Sequence, residues 1–139
     1  MSIQAVLLPV FVLVALTFLL LFWQGYVRVG HTRRGEVKIR DIALRQANWP
    51  EQSTKLSNAY LNQFELPVLF YALVAFALLT RKADLVFVVL SWVFVLSRLM
   101  HAYIHTTSNR VSYRFFAFTV GSLTLLLMWV IFAFRILID

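Results

Sequence analysis

The chain alternates long apolar runs with short polar connections, and the run lengths decide its class. The first run extends from Ile3 to about Val27 without a charge, the second from about Asn58 to Thr80, the third from Leu85 to about His105, and the fourth from about Ser112 to Leu137. Each holds roughly 20 residues or more, enough to cross a hydrocarbon core of ~30 Å as a helix. The pattern predicts an all-α membrane protein, a four-transmembrane-helix bundle filling residues 1–139 as a single domain. Its spans are expected at about 3–27, 58–80, 85–106 and 112–137, with a basic connection at 28–57. Gly30 and Gly35 bracket a turn in that connection, and the stretch VKIRDIALRQANWP has mixed helical spacing, so an interfacial helical segment leading into the second helix is expected. The Arg81-Lys82-Ala83-Asp84 turn is short and makes the second and third helices an antiparallel hairpin.

The polar exceptions to this pattern gather in one layer. Glu65 is the only acid between Glu51 and Asp84, and it falls within the second apolar run. A carboxylate in hydrocarbon costs several kcal/mol, so its position marks a functional candidate. On a continuous helix Asn58, Asn62 and Glu65 at i, i+4 and i+7 would share one face. The third helix brings Arg98, His101 and His105 at i, i+3 and i+7, and the fourth begins near Tyr113 and Arg114. Three helices thus aim polar groups at one depth, where they can satisfy one another. A Glu65–Arg98 ion pair is the expected structural solution, and an open cationic pocket around Glu65 the functional one. His101 and His105 have the i, i+4 spacing of a metal pair, but the only other histidine, His31, lies in the first connection, and no metal or haem is expected.

Composition and charge narrow the picture. The chain is 61% hydrophobic, 14% charged and free of cysteine, so disulfides and protein thiolate chemistry are excluded. The first run lacks a basic leader and a small-residue cleavage site, and it is expected to be retained as a span. Seven basic residues (Arg28, Arg33, Arg34, Lys38, Arg40, Arg45 and Lys55) occupy the first connection, and Arg98, Arg110 and Arg114 flank the third-to-fourth connection. Only Arg81, Lys82 and Arg135 lie at the opposite end. The positive-inside rule therefore places both termini outside and the basic connections in the cytoplasm. The net charge of +7 suits anionic headgroups of membrane lipids, and no nucleic-acid partner is expected.

The pattern Asn62-x-x-Glu65 just before Pro67, in the second of four spans, resembles the MAPEG family (membrane-associated proteins in eicosanoid and glutathione metabolism). The run from Arg98 through His101, His105 and Asn109 to Arg110 resembles the end of the third helix in bacterial members, which implies a bacterial inner membrane. The resemblance covers the whole chain. It implies a homotrimer with sites between subunits, glutathione as co-substrate, and a lipophilic small molecule as its partner. The implied function is a glutathione-dependent membrane transferase or peroxidase acting on lipophilic electrophiles or lipid hydroperoxides. The alternative is a non-catalytic, lipid-binding or accessory membrane subunit of the same fold. By resemblance Glu65 takes the glutathione ammonium, Asn62 the peptide, and Arg98, Arg110 or Lys55 the carboxylates, while Arg114 activates the thiol as the catalytic residue. The family's enzymes carry an arginine at the position of Asn58 and tyrosines at those of His101 and His105. These departures remove a carboxylate-binding cation and phenolic hydroxyls near the thiol, and Asn58, His101 and His105 enter the implied glutathione-binding set as neutral donors. Pro67 follows Glu65 by two residues, where the eicosanoid-forming members have three.

Overall fold

The computed structural model describes residues 1–43 and 48–138, so Arg45 of the basic connection lies outside the described residues. Helix α1 spans Ile3–Arg33, α2 Glu51–Leu61, α3 Leu66–Leu79, α4 Leu85–Thr106 and α5 Val111–Leu137, with no strand among the described residues. Taken end to end, α2 and α3 form one interrupted span, so the chain has four membrane-length units, as the apolar runs predict. Large side chains such as Phe11, Phe18 and Phe22 on α1 and Leu123, Leu127 and Phe134 on α5 face outward. Such a surface suits hydrocarbon rather than water, and the protein is an integral, multi-pass membrane protein.

Helix α1 runs six residues beyond the expected end at Val27 and takes Gly30 into its interior. The true stop is Gly35, at φ +71°. The Gly35 N–H donates to Thr32 O and the Glu36 N–H to His31 O, both at 3.1 Å, which together close the last turn as a Schellman motif. The Glu36 carboxylate adds a side-chain latch. It bonds His31, then Arg34 at 2.9 Å, and these partners hold its carboxyl below the usual carboxylate range. The expected interfacial helix reduces, among the described residues, to a single 3₁₀ turn at Ile39–Ile42. Arg28 then ties this connection to the bundle, with its guanidinium 4.6 Å from the Trp49 ring and Nη2 donating to Ser57 at 3.1 Å.

The core follows from where the apolar stripes meet. Val6 and Leu13 of α1 join Phe70, Leu73, Val74 and Ala77 of α3, Phe87, Val88, Phe94 and Val95 of α4, and Leu125 and Met128 of α5. Phe70 and Phe94 stack with centroids 4.9 Å apart, a contact worth about 0.5–1.5 kcal/mol beyond burial. At that end of the bundle the α3–α4 hairpin is pinned to α5. Asp84 caps α4 by accepting from the Phe87 N–H at 2.9 Å and from Arg135 Nη2 at 2.6 Å. The Arg135 hydrogen bond, ahead of the capping amide, holds the Asp84 carboxyl below its ordinary range. Arg135 also donates to Lys82 O at 3.3 Å.

Near the middle of the bundle α5 leans closely on α4. A Cβ at Gly121 would lie 2.6 Å from Ser97 Oγ, whose hydroxyl is already committed to Phe94 O at 2.6 Å. Gly121→Ala is therefore expected to destabilise the fold by roughly 1–2 kcal/mol. Because the next atoms, Ser97 Cβ and Arg98 Cδ, stand at 3.6 and 3.7 Å, adding Ser97→Ala should recover most of the loss. Thermal melts of the two single variants and the double variant check this, and a double variant as unstable as Gly121→Ala alone would remove Ser97 as the cause.

Candidate functional site

The site begins with a broken helix. Pro67 has no N–H to give to Gln63 O, and its ring crowds that carbonyl, so the α-helix cannot run unbroken from α2 into α3. The chain instead makes a 3₁₀ turn at Asn62–Phe64, and Glu65 takes φ −96°, ψ −106° between the two helices. The helix expected to run unbroken through Asn58, Asn62 and Glu65 is thus interrupted between Asn62 and Glu65, although all three still line one cavity. The carbonyl of Asn62 accepts from the Glu65 N–H at 3.4 Å and from Arg98 Nη2 at 3.4 Å. A neighbouring helix thereby supplies a second donor to a carbonyl at the break, as irregular backbone at membrane depth requires.

That use of Arg98 also corrects the expected ion pair. Its side chain is 1% exposed and reaches backbone, and no Glu65–Arg98 contact falls within the 4.0 Å of a salt bridge. Its Nε and Nη1 are buried without a protein partner among the described residues. Glu65 is exposed, and its charge reaches Arg98 only across a gap longer than an ion pair.

Beside it lies a cavity of about 460 Å³. One wall is polar, with Asn58, Asn62 and Glu65 from the broken segment, His101 and His105 from α4, and Arg114 from α5. The other wall is Leu61 with Val111, Phe115 and Phe118. The two histidines are buried at the base, their rings edge to face at 5.7 Å, and Phe118 lies 6.0 Å from His101. Asn62 Nδ2 donates to His105 Nδ1 at 3.2 Å, which leaves the neutral imidazole with its proton on Nε2 as a donor. Arg114 Nη1 donates to Asn109 Oδ1 at 2.7 Å, and no carboxylate pairs with Arg114 among the described residues. The arrangement offers one free carboxylate, one cation held by a neutral partner, and neutral amide and imidazole donors against an apolar wall. It can bind a small zwitterion and place an apolar molecule beside it.

Of the residues singled out in the sequence, Asn58, Asn62, Glu65, His101, His105 and Arg114 line this cavity. Arg98 lies behind it, and Arg110 stacks outward over Tyr113 at 5.7 Å. Lys55 pairs with Glu51 at 3.1 Å, one turn back on α2. No group of three or more metal-ligating side chains forms among the described residues. The apolar wall was missed, although Val111, Arg114, Phe115 and Phe118 stand at i, i+3, i+4 and i+7 and so declare a shared face. Asn109 was also missed as a functional residue, and its signal lies in its backbone, at φ +49°.

Comparison with known proteins agrees with the geometry at the level of family. The family model described as MAPEG family matches residues 6–134, nearly the whole chain. No curated protein and no solved structure matches it.

Proposed function

The chain belongs to the MAPEG family, and from that premise we propose that its cavity binds glutathione and presents the thiolate to a lipophilic partner. The family is one of membrane proteins related to glutathione transfer and peroxide reduction, its members generally use glutathione, and they are generally membrane-embedded trimers. The observation that carries the reading is the uncompensated pair of charges in one cavity. Among the described residues neither Glu65 nor Arg114 has a side chain of opposite charge within 4.0 Å, and Glu65 attracts the buried Arg98 only across a longer gap. Leaving both unpaired is costly unless a ligand of complementary charge arrives. Glutathione supplies an ammonium for Glu65 and negative charge for Arg114, and its size suits a cavity of about 460 Å³.

In this reading Asn62, with Nδ2 engaged by His105, keeps Oδ1 to accept from a peptide N–H of the ligand. Asn58, His101 and the Nε2–H of His105 offer neutral donors to the carboxylates. Arg98 supports the turn that aims Asn62 and Glu65, and Arg110 and Lys55 stand outside the single-chain cavity. The glutathione thiol gives up its proton to solvent, and the Arg114 guanidinium stabilises the resulting thiolate. The sulfur then attacks a molecule resting on Phe115 and Phe118, forming one bond to sulfur as the leaving group departs with the electron pair. That partner enters from the bilayer.

The exposure of Glu65 and Asn58 also bears on assembly. A carboxylate turned to hydrocarbon costs several kcal/mol, so we read the open side of the cavity as the face closed by a neighbouring subunit of a homotrimer. The cluster of Arg28, Arg33, Arg34 and Lys38 at the same end supports placing that end in the cytoplasm and both termini outside. Calorimetric titration of the purified, nanodisc-embedded protein with glutathione checks the proposal. Saturable binding with Kd at or below ~1 mM is expected, against no binding if the fold serves only a lipid or an accessory role.

A further inference from the structure

The four residues between α4 and α5 must reverse the chain, and Asn109 makes the reversal at φ +49° while its N–H donates to Ile104 O at 2.7 Å. Glycine satisfies such a left-handed backbone most easily, and asparagine is among the few other residues that tolerate it. What asparagine adds is a side chain, and that side chain reaches Arg114. The contact matters because of where Arg114 stands. It lies in the first turns of α5, where the positive helix terminus disfavours a cation, and close to the membrane surface, where a long basic side chain relaxes by reaching out to headgroups. No acid holds it back among the described residues. Among the described residues its guanidinium makes a single hydrogen bond, Nη1 donating to Asn109 Oδ1 at 2.7 Å.

We propose that Asn109 is the positioning residue that tethers Arg114 in the cavity and, by being neutral, leaves its charge for the glutathione sulfur. This inference rests on the glutathione reading of the cavity. One edge of the guanidinium is fixed, and its remaining N–H groups stay available to an anionic sulfur. A carboxylate in the same place would hold the arginine as firmly and cancel its field. Position and charge are therefore separable at residue 109, which a purely structural turn residue would not allow.

The experiment compares Asn109→Gly and Asn109→Asp with the wild type in nanodiscs, following the ultraviolet absorbance of the thiolate as glutathione-loaded protein is titrated with base. Asn109→Gly keeps the left-handed turn but frees Arg114, so kcat with an aryl chloride electrophile should fall roughly tenfold while KM for glutathione changes little. Asn109→Asp should raise the thiolate midpoint by about one pH unit, a tenfold loss of thiolate at any pH well below it, with Arg114 still in place. Variants that keep the wild-type midpoint and kcat overturn the inference and leave the glutathione site standing. Equal losses of melting temperature and glutathione affinity in both, at an unchanged midpoint, assign Asn109 to the turn alone and also overturn it. A wild type that binds no glutathione overturns the underlying reading, and this inference falls with it.

Discussion

Arg114→Ala is expected to lower glutathione-dependent kcat/KM by about 100-fold or more while weakening glutathione binding less than about tenfold. The asymmetry is the substance of the prediction. Among the described residues Arg114 is the one cation lining the cavity, it is held by a neutral amide, and it shares a face of α5 with the apolar wall. A cation in that position acts mainly on charge that develops on sulfur, and less on the ligand's resting contacts. Stopped-flow turnover and calorimetry on the same preparation separate the two effects. If affinity and turnover fall together by the same factor, Arg114 is a carboxylate anchor and the thiolate role is lost. Unchanged turnover removes it from the site altogether.

Glu65→Gln carries the second large effect, on affinity. Among the described residues no cation pairs with its carboxylate within 4.0 Å, and the attraction to Arg98 acts over a longer gap, so most of the free energy available to hold a ligand ammonium has not been spent internally. Replacing it with an isosteric amide should raise the glutathione Kd by roughly 10–100-fold, equivalent to ~1.4–3 kcal/mol for a charge-assisted hydrogen bond. The same substitution should change the melting temperature of the unliganded protein little, because the exposed charge it removes makes no ion pair within 4.0 Å and attracts Arg98 only across a longer gap. A drop in melting temperature with no change in Kd would mean that Glu65 is structural glue, the role first suggested for it with Arg98.

Much of this architecture could be read in the residues before any coordinates. Four uncharged or nearly uncharged runs of membrane length dictate four spans, and hydrocarbon leaves a backbone little choice but helix. The polar layer was legible for the same reason, since Glu65, His101 and Arg114 are expensive where they stand. The direction in which each polar group points was not legible. The spacing of Asn58, Asn62 and Glu65 predicts one unbroken helical face; Pro67 interrupts the helix between Asn62 and Glu65, yet all three still line the same cavity. Arg98 shares a helical face with His101, yet its length lets it reach back to the Asn62 carbonyl instead of entering the cavity. The end of α1 was set too early because hydropathy falls at Arg28, whereas the helix stops only where Gly35 permits a positive φ. Hydrophobic periodicity reports burial well, and it carries little information on kinks, caps or the reach of a long side chain.

A structure determined with glutathione bound tests the central claim most directly. The ammonium is expected against Glu65, the sulfur beside Arg114, and the wall of Phe115 and Phe118 left open to a lipophilic partner. A cavity filled by a lipid chain, or glutathione seated elsewhere with Glu65 and Arg114 still unengaged, would contradict it.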